Sequence, residues 1–292
     1  MEIGRISELW RYPVKSMSGE RLSTARVAPD VGIEGDRAFA IVDLETGTVA
    51  SGKHPRKWGR LLACSAAFDE ARGARIELPD GARLDSSQPD VDTRLSAALG
   101  RAVRLAARPP RQARLEEYDV ATNSAVGVPL SVGAGDGTFF DFAPIHLVTT
   151  ATLARLGELL PGSRVERARF RPNLVIVTGA ASGFVENEWN GHVISLGDDV
   201  EMYVVFTCPR CVMTTLEQPG LPADPGILRA ATEHNRQWFP LLGKKLPTVG
   251  MYATVIRGGT MRVGDTIRLG ASSPRHRIGA FAHALKRVIH RR

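Results

Sequence analysis

The sequence is dominated by short apolar runs that are separated by turns containing glycine. In the second half, Gly197-Asp198, Gly258-Gly259 and Gly264-Asp265 separate runs of strand length such as GHVISL, VEMYVVFT and TVGMYATVIR. Glycine at such positions permits the tight turns that join antiparallel strands. Many short strands at this spacing predict a barrel or a sandwich. We therefore expect a mainly β (α+β) protein with a few helices.

Other segments set the expected organisation of the chain. VDTRLSAALG is predicted to be a helix that Gly100 ends, and a second helix is predicted from residue 150 to Pro161-Gly162. RIELPDGARLD is typical of a hairpin, and GTFFDF is predicted to be a strand. The stretch RLAARPPRQARL is predicted to be an exposed linker near residue 110. The expected units are therefore residues 1–110, residues 111–270 and a C-terminal tail, residues 271–292.

The net charge of +7 is concentrated in that tail. Residues 271–292 contain six Lys and Arg residues and no Asp or Glu, so the rest of the chain carries a net charge of about +1. A nucleic-acid-binding body would need a basic excess of its own, so nucleic acid is not an expected partner. Apolar residues at helical spacing suit a terminal helix that docks on the body, or one that recruits an acidic electron-transfer partner. They are few for stable membrane anchoring.

No segment has the features of an exported or membrane-spanning protein. The N-terminal sequence MEIGRISELWRYPVKS is polar and alternating, and it lacks the apolar core of a signal peptide. No window approaches the ~20 apolar residues of a membrane span. The three cysteines, Cys64, Cys208 and Cys211, are too few for a disulfide framework. We expect a cytoplasmic protein without a membrane span.

Cys208-Pro209-Arg210-Cys211 is the sharpest local motif, and four interpretations compete for it. In the first, both cysteines pack as small hydrophobes. A structural zinc site needs four ligands, and the sequence has no second CxxC. A thioredoxin-like redox pair should begin a helix, whereas this motif follows the strand-like MYVVFT. In the fourth, one thiolate binds a soft or redox-active metal, and Arg210 favours the negative sulfur.

Cationic residues at the ends of predicted strands form a second group. Lys15-Ser16 lies in YPVKS, Arg37 in EGDR, and Arg171 with Asn173 in RFRPN. Taken singly, each is typical of a solvated charge or of a side chain that supports the fold. Taken together, they suit a ligand that carries phosphate, because arginine offers paired donors and lysine a point charge. The sequence has neither a Walker loop nor a GxGxxG fingerprint as a competing phosphate site.

Five motifs occur in order along the chain: WRYPVKSMSGE, GIEGDRAFAIVD, FRPNLVIV, CPRCVMTT and GMYATVIRGGTMRVGD. In this order the sequence resembles the MOSC family with its N-terminal β-barrel domain, in the group that includes the mitochondrial amidoxime-reducing component and its bacterial relatives. The resemblance spans residues 1 to about 270. It implies an N-terminal β-barrel-like domain followed by a MOSC β-barrel domain with a few helices.

The resemblance also implies a molybdenum cofactor (Mo-molybdopterin) and assigns residues to it. Cys211 matches the family's metal-binding cysteine, and Lys15 with Ser16 matches residues on the phosphate side of the pterin. The other cofactor-binding matches are Arg37, Arg171, Asn173, Pro209, Arg210 and Tyr252. An Asp-Thr-Ser-Pro stretch of the family matches residues 141–144 here. Phe142 and Ala143 thus replace two hydroxyl side chains, so we expect backbone or water contacts at these positions.

The family's substrates are N-hydroxylated compounds such as amidoximes and hydroxylamines, so the resemblance implies a two-electron reductase. Asp141 is the candidate for proton handling, with the alternative that it caps a turn at a strand end. Some bacterial relatives carry an iron–sulfur domain, but this sequence has no four-cysteine motif after residue 211. Electrons are therefore expected from a separate ferredoxin- or flavin-type donor protein. The alternative function is a carrier of the cofactor or of sulfur.

Overall fold

The structure is a computed structural model that describes residues 1–109, 114–119, 124–129, 139–240 and 242–273. Short strands fill most of the first half. They are β1 (Glu2–Arg11), β2 (Glu20–Leu22), β3 (Thr24–Ala28), β4 (Gly32–Ile33), β5 (Ala40–Asp43), β6 (Ser65–Asp69), β7 (Gly73–Glu77), β8 (Arg83–Asp85), β9 (Val103–Ala106), β10 (Arg114–Asp119) and β11 (Ser124–Pro129). Between them lie two helices, α1 (Pro55–Trp58) and α2 (Val91–Leu99).

The second half contains longer strands and two more helices. The strands are β12 (Ile145–Thr149), β13 (Leu174–Val177), β14 (His192–Leu196), β15 (Val200–Pro209), β16 (Arg236–Phe239), β17 (Lys244–Arg257), β18 (Gly259–Arg262) and β19 (Thr266–Ser272). The helices are α3 (Thr150–Leu159) and α4 (Gly226–His234). In the part of the chain that the structure describes, no helix is long and apolar enough to cross a membrane.

Seven strands close a barrel. Their spatial order is β12-β13-β1-β19-β14-β15-β17, and β17 pairs back onto β12 through Ile145 and Ala253. Strand β1 comes from the beginning of the chain and lies between β13 and β19. The interior is filled by buried apolar side chains such as Leu9, Ile194 and Met202. The expected mainly β fold with a barrel is confirmed.

Smaller sheets pack beside the barrel and are formed largely by the first hundred residues. They are β3 with β4 and β18, β5 with β9, and β6 with β7 and β8. A second core lies here, around the fully buried side chains of Trp58, Leu61 and Leu95. The predicted hairpin is the β7–β8 pair, and helix α2 ends at Gly100, whose φ of 68° lies in the left-handed region that ends helices. Both predictions are confirmed.

The predicted strand GTFFDF is wrong for residues 139–142, which are irregular. The Phe139 amide donates to the Arg37 carbonyl at 2.9 Å, and the Phe139 carbonyl accepts from the Lys15 ammonium at 3.0 Å. These loop contacts take the groups that a strand would need for its ladder. The predicted linker lies partly, and the C-terminal tail almost wholly, outside the described residues.

Candidate functional site

One cavity of about 280 Å³ gathers all the residues that the sequence predicted for cofactor binding or catalysis. Loops at strand ends supply most of its wall: the loop after β1, the loop before β5, the segments before β12 and β13, and the loop after β15. The predicted residues that line it are Lys15, Ser16, Arg37, Asp141, Phe142, Ala143, Arg171, Asn173, Pro209, Arg210, Cys211 and Tyr252. Residues far apart in the sequence thus share one site, while their individual roles stay predictions.

Three lining residues hold backbone conformations that side chains rarely adopt. Ser16, Arg37 and Arg171 have φ angles of 67°, 47° and 54°. Tertiary contacts fix these turns: the Arg37 amide donates to the Tyr12 carbonyl at 2.8 Å, and the Ser16 hydroxyl accepts from the Gly52 amide at 3.1 Å. A left-handed backbone costs free energy at a non-glycine residue, so it persists only where surrounding contacts impose it. Such residues are frequent at functional sites.

Two arginines stack on Tyr12 at one side of the cavity. The guanidinium carbons of Arg37 and Arg171 lie 4.6 and 4.4 Å from the centre of its ring. Arg37 also pairs with the buried carboxylate of Asp36. Burial, followed by the neighbouring Arg37, lowers the pKa of Arg171 to about 10, so this guanidinium is still charged at neutral pH. The stack presents two rigid donors, of which one has a carboxylate partner.

Lys15 and Asp141 form an ion pair in the cavity wall. The Lys15 ammonium, 6% exposed, donates to Asp141 Oδ1 at 2.6 Å, and the Lys53 ammonium lies 3.8 Å from the same oxygen. Burial by itself would raise the pKa of Asp141, but the two ammonium groups outweigh it and hold that pKa well below its usual range. The Asp141 carboxylate is therefore ionised at neutral pH, which argues against a role as a proton donor.

We expect Asp141→Asn to lower the free energy of unfolding at pH 7 by about 2 kcal/mol, because it leaves the buried Lys15 ammonium without its charged partner. A depressed carboxyl pKa contributes stability that is present above the unfolded value of about 3.9 and lost as the pH falls. The difference from wild type should therefore shrink in acid. Urea unfolding from pH 3 to 8 measures it. The exposed Asp199→Asn serves as control, and equal curves for both variants contradict the ion-pair assignment.

The two cysteines of the CPRC motif differ in their surroundings. Cys208 is fully buried and its sulfur accepts from the guanidinium of Arg210, whereas Cys211 is partly exposed and lines the cavity. Burial raises the pKa of both thiols, and Lys53 is the largest charge that acts in the opposite direction on Cys211. The sequence assigned this stabilising role to Arg210, whose close sulfur contact is instead Cys208. Cys211 is thus the thiol that can reach a ligand.

The zinc and thioredoxin interpretations of this motif have no structural support. Among the described residues, no three His, Cys, Asp or Glu side chains converge in a way that could hold a metal ion. Cys211 precedes only a short 3-10 turn, Val212–Thr215, rather than the α-helix of a thioredoxin-like pair.

Asn173 joins three segments behind the cavity. Its Oδ1 accepts from the His146 amide at 3.1 Å, and its Nδ2 donates to the Trp10 carbonyl at 3.2 Å. Both ends of the side-chain amide are thus engaged by the backbone, which indicates that Asn173 holds the wall in place. His146 is buried beside it, with Nε2 3.2 Å from the Val249 carbonyl oxygen. Burial, followed by the charge of Arg210, lowers the pKa of His146 well below its usual value, so the ring is neutral.

An aromatic cluster forms part of the cavity wall, where the family pattern has hydroxyl side chains. The ring of Phe142 lies 5.2 Å from that of Phe239 and 6.0 Å from that of Tyr252, measured between centroids. Phe206 completes the cluster, 5.8 Å from Tyr252. The replacement at Phe142 therefore adds an apolar ring to this part of the cavity wall.

Sequence reasoning missed other lining residues, among them Lys53, His146, Met213 and Thr214. The sequence offered one indication for Lys53, because it follows Gly52 in the stretch SGK, which is typical of a loop. A Cβ at Gly52 would lie 3.0 Å from the Met213 methyl group, so glycine allows this loop to approach the CPRC loop closely.

Comparison with protein families matches the chain to two models, the MOSC N-terminal beta barrel domain at residues 3–109 and the MOSC domain at residues 134–268. The chain belongs to the MOSC family. The cationic cavity and Cys211 are thus features of a MOSC protein. The domain boundary near residue 110 stays a prediction. Strand β1, which belongs to the first matched segment, is one of the barrel strands, and the other six begin in the second matched segment.

Relatives of this MOSC chain include mitochondrial amidoxime reducing component 2 of Rattus norvegicus, which is 28% identical over 91% of this chain and 83% of the relative. Mitochondrial amidoxime-reducing component 1 of Homo sapiens is 26% identical over 92% of this chain and 83% of the relative. Among solved structures, the YUAD protein from Bacillus subtilis aligns over 90% of this chain and 93% of that chain, with 12% identity and a TM-score of 0.44.

Proposed function

We propose that this MOSC protein is a molybdenum-cofactor reductase of N-hydroxylated compounds such as amidoximes and hydroxylamines. One observation carries the proposal: a partly exposed thiol, Cys211, lies in the same cavity as a set of convergent cationic side chains. That set is Lys15, Lys53, Arg37, Arg171 and Arg210. The relatives named as amidoxime-reducing components supply the reaction class.

The donor set fits a phosphate-bearing pterin with a thiolate-ligated metal. Among the described residues, Arg171 has no carboxylate ion-pair partner and donates to the Met17 carbonyl, while Arg37 pairs with Asp36. Both guanidinium groups are held against Tyr12. Lys15 adds a buried ammonium. Such groups suit a phosphate anion, and Cys211 Sγ would be the protein ligand of the metal.

When bound, the cofactor supplies two-electron redox chemistry beside the Cys211 sulfur. Reduction of an N-hydroxylated substrate breaks the N–O bond, consumes two electrons and two protons, and yields the N–H compound and water. The wall of Phe142 and Tyr252 suits the apolar body of such a substrate. The ion pair with Lys15 keeps Asp141 ionised, so other groups would donate the protons. The role of Asp141 is then to hold the Lys15 ammonium in place. A separate protein would deliver the electrons.

The test uses holoprotein from a host supplied with molybdate, with an aryl amidoxime as substrate and reduced methyl viologen as electron donor. We expect about one molybdenum per chain and formation of the amidine in parallel with viologen oxidation. Molybdenum with no amidine formation would instead favour a cofactor carrier. Protein without molybdenum or pterin fluorescence would overturn the cofactor assignment altogether.

A further inference from the structure

The hairpin of β16 and β17 has one face against the cavity wall and the other in solvent. Trp238 lies opposite Lys245 in the register, and Phe239 lies opposite Lys244. Because side chains alternate along a strand, Trp238 and Phe239 project to opposite faces. Phe239 is fully buried and packs against Phe142, which lines the cavity. Trp238 is 58% exposed. The buried Phe239 beside the cavity wall and the exposed Trp238 are therefore neighbours in the sequence.

The exposed charged side chains among the described residues of this hairpin are all positive. By the register, Arg236 and Lys245 share the face of Trp238, while Lys244 lies opposite Phe239 beside the turn, and all three are exposed. The sequence contains no Asp or Glu from residue 235 to residue 264. Arg236 donates to the Lys245 carbonyl at 3.2 Å, which keeps its guanidinium beside the tryptophan's strand partner. We call Arg236, Trp238, Lys244 and Lys245 the hairpin patch.

The hairpin patch adjoins the mouth of the cavity. Leu242, in the turn between the two strands, lines the cavity and is itself 44% exposed. An exposed tryptophan leaves apolar area in water, and tryptophan and arginine are enriched at the energetic centres of protein interfaces. A partner docked on this patch would lie close to the cavity, as a protein that delivers electrons to it must.

We propose that the hairpin patch is the docking surface for an acidic redox protein that delivers electrons to this cavity. The proposal rests on the proposed reductase function and adds the surface and the charge of its partner. Three cations without acidic neighbours along the strands would steer an anionic partner into contact. Trp238 would then fill a pocket on that partner, and Phe239 and Phe142 would connect the interface to the cavity wall.

The probe is a purified acidic [2Fe–2S] ferredoxin, which is titrated in its oxidised form for affinity and mixed in its reduced form to measure electron transfer. We expect Trp238→Ala to weaken binding about tenfold. Lys245→Glu should slow the second-order oxidation of reduced ferredoxin about tenfold at low salt, and this difference should shrink as salt is added. Viologen-driven amidoxime reduction should change less than about twofold in both variants, because viologen needs no docking surface.

The control is Arg26→Glu, a charge reversal at an exposed position of β3 in a different sheet. Equal effects in this variant, or a wild-type protein that neither binds nor oxidises the ferredoxin, overturn the proposal. Loss of binding to phosphatidylserine vesicles in Trp238→Ala, with unchanged ferredoxin kinetics, overturns it in favour of a lipid surface. If ferredoxin binding depends on Trp238 while no donor supports amidoxime reduction, the docking surface is supported and the proposed function fails.

Discussion

The Cys211→Ala variant is expected to lose nearly all of its molybdenum, whereas Cys208→Ala keeps most of it. Cys211 lines the cavity and is partly exposed, so its sulfur is available to a metal. Cys208 is fully buried, and its sulfur is engaged by Arg210. Metal content per chain, measured on the two purified variants by mass spectrometry, tests the assignment.

The pair of variants is matched, because both replace a thiol in the same four-residue motif. Since Cys208→Ala removes an acceptor from the half-buried Arg210, a thermal unfolding curve has to show that each variant is folded. Molybdenum loss in Cys208→Ala alone would reverse the assignment. If the wild-type protein contains one zinc per chain, bound through the sulfur of Cys211, the site is a zinc site and the molybdenum assignment is wrong.

Arg171→Met and Arg37→Met are each expected to weaken cofactor binding about ten- to a hundred-fold, because a charge-assisted hydrogen bond contributes roughly 1.5–3 kcal/mol. Both guanidinium groups stack on Tyr12, so they share one rigid support. The double variant should therefore show less than the sum of the two free-energy changes. Retained pterin, quantified by fluorescence after oxidation, provides the measurement.

The matched control is Arg167→Met. Arg167 also stacks on an aromatic ring, 3.2 Å from the centroid of Trp10, but it does not line the cavity. Arg37→Lys serves as a second variant, because it keeps a positive charge beside the buried Asp36. Unchanged pterin content in both methionine variants, or an equal loss in Arg167→Met, rules out the arginine stack as the phosphate anchor.

Much of the site could be predicted, because the chemistry-bearing residues lie at the ends of well-marked strands. Lys15 follows β1, Asn173 precedes β13, and Cys211 follows β15. Because β13 runs antiparallel to β1, the end of β1 and the start of β13 meet at one end of the barrel, and Lys15 and Asn173 come together there although they are far apart in sequence. Glycine turns such as that before β19 marked these boundaries correctly.

Residues whose place depends on tertiary contacts could not be predicted. Lys53 follows no barrel strand and reaches the cavity because Gly52 allows two loops to approach. His146 sits inside a continuous apolar strand, where its ring is indistinguishable in sequence from a packed core residue. The aromatic pair at residues 139 and 140 has the composition of a strand, but its backbone is bound by Arg37 and Lys15 instead. Local propensity was overridden there by long-range hydrogen bonds.

The position of β1 between β13 and β19 has a consequence for biosynthesis. Glu2 pairs with Arg268, and the Met1 amino group donates to the Leu269 carbonyl at 3.1 Å. Strand β1 can therefore complete its pairing only after β19 has been synthesised. Pairing over such a sequence separation is slow and exposes unpaired edges in the meantime. The barrel therefore cannot close during translation until β19 has left the ribosome, and the cavity at its strand ends forms only afterwards. Any ligand of this cavity could therefore bind only after the strand that closes the barrel has been synthesised.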